Sequence, residues 1–419
     1  MTVLCAGHFV SDSYSSLIFP LLPLIKDALH LTTAQVFWLA PLYAMSSSLM
    51  QPVYGAISDR YARRLFAVFG PAVTATFISM IGLAPSYWVL LLLLLAGGMG
   101  IGSFHPQAAA MASVAAGNRR RLGLAIFSAT GTIGYSLGPL GIAVVTSHFG
   151  LGKTYYVIGL GYLMSAILFR VCPPLEDGAS PEAFRRTKLE AGKCDRPIRS
   201  GDSKEPSVPL RDYMGAGLLQ GLLPAWRPLL LLYMITVLRS GLQLTTNNYL
   251  PFIMRSEGHS VTQSGAVITV FLLLGGLGGI AGGFIAERVP GKEVTLYSGL
   301  IGCPLMMAAF LTHGPLSILL LGLGGFALLS AIPVNVAMAQ ELAPGRTSTV
   351  SALMMGAAWG VGALAPPLLD NLVPALGFRN VLALMSGATL LTVLFAYFLP
   401  ADRHLARAVS SEPVPATGD

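Results

Sequence analysis

This chain is short of charge. Only 11% of its 419 residues are Asp, Glu, Lys or Arg, against 54% hydrophobic, and its mean hydropathy is +0.68. A soluble protein of this length could not hide so much apolar surface, so the composition belongs in a lipid bilayer. Cysteine is scarce too: Cys5, Cys172, Cys194 and Cys303 lie far apart, without paired or metal-ligand spacing, so no disulfide, metal site or cofactor is expected. No G-x-x-x-x-G-K-[ST] phosphate loop occurs to power a pump, and no nucleophile, base and orienting group form a catalytic set. The formal net charge of +7 is spread over short loops between apolar runs, which argues for membrane orientation and against a nucleic-acid partner. The first apolar run passes through His8 and Asp12 with no small-residue cleavage site, and reads as a retained helix rather than a signal peptide.

What charge there is comes in bursts. Leu31 to Ile57 contains none, then Asp59, Arg60, Arg63 and Arg64 follow in quick succession, and the next charge after Arg64 is Arg119. Such a burst between apolar runs marks a loop where the chain leaves the bilayer and turns back, and the excess of Arg directs it to the cytoplasm. The loop occurs twice: Gly283-Phe284-Ile285-Ala286-Glu287-Arg288 repeats Gly55-Ala56-Ile57-Ser58-Asp59-Arg60 at a shift of 228 residues (283 − 55). The same shift pairs Pro23 with Pro251, Gln35 with Gln263, Gly134 with Gly362 and Pro139 with Pro367, and a shift of 227 pairs Pro106 with Pro333 and Arg119 with Arg346. The chain therefore reads as two copies of one membrane unit in parallel order.

At about 20 apolar residues per crossing, spans are predicted near 4–25, 34–57, 65–83, 87–115, 122–149 and 153–171, then 228–253, 261–286, 294–311, 316–339, 349–372 and 378–399. The predicted fold is all-α and integral to the membrane, with twelve transmembrane helices in two parallel-repeat six-helix bundles. The domains are 1–172, a cytoplasmic linker 173–226 rich in Pro, Gly, Ser and mixed charge, 227–400, and a tail 401–419. Lys and Arg concentrate in the loops on one side, and only Lys26, Lys153, Arg255 and Arg379 fall on the other, so both termini are expected inside. Glycines at 275, 279 and 283, at 278 and 282, and at 134 and 138 recur every fourth residue and offer bare faces for close helix packing.

The charged loop, G-x-x-x-D-R-x-x-R-R here, resembles the signature of the major facilitator superfamily between its second and third helices, with Ala62 where that family usually has Gly. Gly134-x-x-x-Gly138-Pro139 resembles part of the fifth-helix signature of the family's exporters. Four further stretches look like its fosmidomycin-resistance group: Gly7-His8 through Asp12 to Leu21-Leu22-Pro23; Phe104-His105-Pro106; Gln340-Glu341-Leu342-Ala343-Pro344-Gly345; and the glycine-rich run from Gly356 to Gly362. The resemblance implies a twelve-helix protein of the bacterial inner membrane that exports small molecules by proton exchange, without specifying the cargo. It also implies that the first, fourth and seventh spans line a central cavity.

Charge inside a bilayer needs a partner or water. His8 and Asp12, four residues apart, share a helix face that continues to Phe19. At about 1.5 Å per residue, Asp12, His105 and Arg239 come out at similar depth near the midplane. They are expected to converge, with Asp12 paired to Arg239, and Asp12, His105 and His8 as candidates for carrying protons. His105 precedes a proline, so capping freed backbone carbonyls is the alternative reading. Substrate contacts are expected from Arg239, Asn247, Asn248, Trp359 and Phe19, with core packing the alternative for Trp359. Asp59, Arg60, Arg64, Glu287, Arg288, Gln340, Glu341 and Arg346 are expected at the cytoplasmic gate.

The expected function is a proton-coupled exporter of a small organic molecule, acting as a monomer. An uptake symporter or facilitator stays open. A receptor or an intramembrane enzyme is disfavoured, since no sizeable extramembrane domain and no catalytic set is present.

Overall fold

The computed structural model describes residues 1–51, 53–54, 63–116, 120–172, 225–343 and 350–400. Asp59, Arg60 and Arg346, together with nearly all of the expected linker and the whole tail, lie outside the described residues.

Helix occupies the described part of each predicted span, and no strand occurs among the described residues. The first span is Thr2–Ser15, a turn at Phe19–Leu21, then Leu22–Ala28; Pro20 and Pro23 each start a new short helix because a proline supplies no N–H to continue the old one. The second is Thr33–Ala44 running into a π turn at Met45–Leu49. The third to sixth are Arg63–Ser79, Tyr87–Ala115, Arg120–Phe149 and Ile158–Val171. The seventh to ninth are Trp226–Ser256, Val261–Ala286 and Gly291–Leu311, and the tenth is Gly314–Leu329 with Ile332–Leu342. The eleventh is in pieces, Ala352–Ala357, Ala358–Gly362 and Ala365–Leu369, before Val373–Thr389 and Leu391–Tyr397.

Among the described residues, eight helical stretches are long and apolar enough to cross a membrane. The last of these, Leu353–Tyr397, has 45 residues and would measure about 68 Å as one helix, twice the thickness of a hydrocarbon core. It turns back at the Asp370–Leu372 turn and at Gly377, whose φ of 76° suits only a residue without Cβ.

The repeat read from the sequence is built into the backbone. Thr32 and Gln35 form a capping box at the start of the second span, and Ser260 and Gln263 form its copy 228 residues on, each with a 3.2 Å bond from the Gln backbone N–H to the capping hydroxyl. Arg64 donates from Nε to the Cys172 carbonyl at 3.0 Å and from Nη2 to the Phe169 carbonyl at 2.6 Å, with its guanidinium 4.9 Å from the Phe169 ring centre. Lys292 does the same at the shifted position, donating to the carbonyls of Tyr397 at 2.6 Å and Leu399 at 2.5 Å, 5.7 Å from the Tyr397 ring. Each cation satisfies carbonyls that a helix leaves unpaired at its C-terminal end. Arg64, expected at a gate, caps the sixth helix.

Glycine packing follows one predicted stripe more than the other. A Cβ on Gly278 or Gly282 would sit 2.0 or 1.9 Å from the carbonyl oxygens of Phe326 and Ser330, so the eighth and tenth helices meet backbone to backbone, whereas Gly283 faces open space. Gly134 and Gly138 lie against the carbonyls of Phe9 and Ser13 in the same way, fastening the fifth helix to the first. The two halves touch through the second and eleventh spans, where Gly356 faces the Ser48 carbonyl, and through the fifth and eighth, where Gly265 faces that of Pro139.

Candidate functional site

Asp12 is the centre of the first half. Its Oδ2 lies 3.2 Å from His8 Nε2 on the same helix and its Oδ1 lies 2.9 Å from His105 Nε2 on the fourth helix. The i, i+4 spacing puts His8 one turn from Asp12 on one face, as the sequence shows. His105 reaches it because the fourth helix packs beside the first.

The other ring nitrogen of each histidine is engaged as well. His8 Nδ1 is 2.7 Å from the Phe127 carbonyl and His105 Nδ1 is 2.7 Å from the Ile101 carbonyl. A carbonyl only accepts, so both Nδ1 atoms carry hydrogen. Each Nε2 then needs a further proton, on itself or on the carboxyl, to bond Asp12. Two contacts need two protons. Both imidazoles charged against a carboxylate, or one charged imidazole beside a neutral acid and a neutral imidazole, give the same net charge of +1. With one proton fewer the cluster is neutral, and one nitrogen meets a carboxyl oxygen lone pair to lone pair.

The surroundings hold this geometry. His8 stacks on Phe127 with ring centres 4.0 Å apart and meets the His105 ring edge-on at 4.9 Å. A Cβ on Gly131 of the fifth helix would lie 2.4 Å from His8 Nε2 and 2.6 Å from Asp12 Oδ2, so only glycine leaves room for the cluster. Tyr43 of the second helix and Tyr135 of the fifth lie within electrostatic reach of Asp12. The Asp12 and His105 side chains keep 16% and 21% of their surface exposed, so the cluster is not sealed. The His8, Asp12 and His105 donor atoms, all within 4.8 Å of one another, could also hold a metal ion. The scattered cysteines gave no hint of this, and Gly131 was missed because a glycine's importance shows only once its neighbour is known.

Arg239 is elsewhere. It is fully buried inside the second half, donating from Nη1 to Ser298 Oγ at 2.7 Å and the Leu328 carbonyl at 3.1 Å, and from Nη2 to the Thr295 carbonyl at 2.7 Å. It faces the ninth and tenth helices and does not pair with Asp12. Equal depth along two helices placed the residues at one level but carried no information about which way each side chain turns. Thr295 Oγ1 continues the network to Asn335 Oδ1 at 2.7 Å.

The other expected residues divide. Asn247 is buried and lies beside Tyr135 across the boundary between the halves. Asn248 is turned back onto its own helix, donating to the Leu244 carbonyl at 2.7 Å. Phe19 is buried with its ring edge-on to Tyr135 at 6.3 Å. Trp359 packs, half-buried, against the core. His105 does bond a carbonyl, but that of Ile101 rather than the Gly102 carbonyl that Pro106 frees. Gln340 donates to Ser351 Oγ at 2.7 Å, tying the tenth span to the eleventh, while Glu287, Arg288 and Glu341 are exposed.

At the end of the first helix away from Met1, the halves touch. Arg255 pairs with Asp27 and donates to the Pro23 carbonyl at 2.9 Å. Just inside, Phe37 of the first half meets Tyr249, Phe252 and Phe378 of the second, with ring centres 4.6, 5.5 and 6.1 Å away. Nearby, Arg379 Nε bonds Glu257 at 2.6 Å and holds that carboxyl below its ordinary range.

Two repeated helical halves, an acid caged by imidazoles within the first, and contacts between the halves at one face describe a multi-pass membrane transporter. The chain belongs to the Major Facilitator Superfamily, whose sequence profile matches residues 4–362 and 229–417. It is 28% identical over 402 residues to an uncharacterized transporter of this type, YfnC, from Bacillus subtilis, covering 95% of this chain and 92% of that one. To the fosmidomycin resistance protein of Escherichia coli it is 26% identical over 403 residues, with the same coverage. A multidrug resistance protein of Salmonella arizonae, MdtG, is 28% identical over 38% of this chain and 40% of its own. Among solved structures, a bacterial homologue of the human lysosomal transporter Spinster, in an inward-facing and unoccupied conformation, superposes with a TM-score of 0.73 at 17% identity, covering 99% of this chain and 98% of its own.

Proposed function

We propose that this protein exports a small organic molecule in exchange for protons, by alternating access between its two halves. The observation that supports this most is the Asp12 cluster, whose hydrogen bonds are complete only with one proton beyond neutrality. Such a group inside a membrane protein can gain and lose a proton with a change of local geometry, and that is what coupling needs. The halves are residues 1–172 and 227–400, each with six crossings, joined by the linker and followed by the tail. Both termini face the cytoplasm of a bacterial cell whose inner membrane holds the protein as a monomer, and the Asp27–Arg255 face is outside.

Protons enter from the outside and bind the cluster when that face opens; substrate takes its place from the cytoplasm. Asn247 and Phe19, both beside Tyr135, are the substrate contacts that fit a cavity between the halves. Asp59, Arg60, Glu287, Arg288, Gln340, Glu341 and Arg346 act at the cytoplasmic mouth. The names of the relatives, fosmidomycin resistance and multidrug resistance, favour export over uptake.

Everted membrane vesicles test the reading. Energised vesicles should accumulate a substrate found by resistance screening, and Asp12→Asn should abolish that accumulation while binding persists. Accumulation of substrate only in right-side-out vesicles would mean uptake, and undiminished transport by Asp12→Asn would place the proton elsewhere.

A further inference from the structure

We propose that His8, Asp12 and His105 together bind one divalent transition-metal ion of the class that accepts imidazole and carboxylate ligands, such as zinc or cobalt. The donor set is two ring nitrogens and one carboxylate, drawn from the first and fourth helices, with no donor pair further apart than 4.8 Å. Metal–nitrogen and metal–oxygen bonds of about 2.0–2.2 Å set ligand atoms about 3.3 Å apart around a tetrahedral ion. His8 Nε2 lies 3.2 Å from Asp12 Oδ2 and His105 Nε2 2.9 Å from Asp12 Oδ1, so each nitrogen is near that spacing from one oxygen of the carboxylate.

Three features besides the donors point to an ion. Both imidazoles are oriented by Nδ1–H bonds to the Phe127 and Ile101 carbonyls, which leaves Nε2 as the coordinating atom on each ring. That is the outer-shell arrangement metal-ligating histidines use. Gly131 leaves the donors uncovered on the side of the fifth helix, where a Cβ would lie 2.4 Å from His8 Nε2 and 2.6 Å from Asp12 Oδ2. Charge fits too. A divalent ion with one carboxylate and two neutral imidazoles is net +1, the same charge that the fully hydrogen-bonded cluster carries. The ion takes the place of the two Nε2–carboxyl protons and asks the surroundings, including Tyr43, Tyr135 and Asn247, to accommodate no new charge.

Three protein ligands leave at least one position open, as in exchangeable metal sites. Ion and protons then compete for one site, and a bound ion holds the first and fourth helices together in the proton-loaded geometry. Binding can be measured without any transport assay, so its failure would leave the exporter reading standing, and the reverse.

The test uses full-length protein in detergent, stripped with chelator. Cobalt titration followed by visible absorption, and zinc titration by calorimetry, should each give one site per chain. Asp12→Asn and His105→Gln should weaken binding at least tenfold, Gly131→Ala should weaken it as well, and His313→Gln, an exposed histidine on the far face, should not. Copper loaded into the unaltered protein should show an electron paramagnetic resonance spectrum split by two imidazole nitrogens, which needs no variant to fold. Absence of saturable binding, binding unchanged in folded Asp12→Asn, or a copper spectrum without two coupled nitrogens would each overturn the proposal.

Discussion

Asp27 and Arg255 stand at equivalent positions of the two repeats, 228 residues apart, and pair with each other. A contact between equivalent positions lies close to the axis relating the halves. Both side chains are about half exposed, so the bond contributes at most about 1 kcal/mol. Asp27→Asn should raise the population open on the Asp27–Arg255 face by no more than about fivefold. Labelling of a cysteine at Phe252 by a membrane-impermeant reagent reports it; unchanged labelling would remove the pair from the closure.

Arg64 and Lys292 predict matched effects. Replacing either with Ala leaves helix-end carbonyls unpaired and an aromatic face uncovered, at a cost of about 1 kcal/mol each. Melting in detergent should fall for both variants, while transport at low temperature persists. A transport loss in Arg64→Ala without loss of stability would point to a role for Arg64 beyond capping.

Arg239→Ala should act on folding. The change empties a fully buried site and strips hydrogen bonds from Ser298 and two backbone carbonyls, which costs at least about 2 kcal/mol. Lys reproduces only one point of the fork and should rescue poorly. Yield and melting temperature check this, and a stable Arg239→Ala protein that had lost only substrate binding would contradict the placement.

Gly131→Ala forces a Cβ against His8 and Asp12, with an overpacking cost of about 1–3 kcal/mol. Transport should suffer more than in Gly141→Ala, where nothing lies within 4 Å. Equal activity of the two variants would show that the cluster tolerates displacement.

Glu257 supplies a pH prediction. Its carboxyl is depressed, first by the hydrogen bond from Arg379, below the ordinary value near 4.5. The contact therefore stabilises the protein above that value and loses its effect as pH falls below it. The difference in melting temperature between wild type and Glu257→Gln should shrink on acidification through that range, and a difference constant with pH would exclude the linkage.

Much of this was legible in the chain. Apolar run length dictates helices in a bilayer because backbone groups there must be satisfied internally, and the 228-residue shift, which pairs Gln35 with Gln263, announced two equivalent halves whose matching caps the structure then supplied. His8 and Asp12 could be joined from sequence since helix geometry alone brings i and i+4 together.

The sequence by itself thus determined the membrane class, the repeat and the intrahelical half of the Asp12 cluster, all of which follow from local periodicity and composition. Only the tertiary structure decided that His105 closes the cluster while Arg239 turns into its own bundle. Depth along a helix is a property of one chain segment, but the direction a side chain faces depends on which neighbour packs there. The same reason hid Gly131 and the Asp27–Arg255 pair: a bare Cα or an exposed charge acquires its role from an atom distant in sequence that the fold sets beside it.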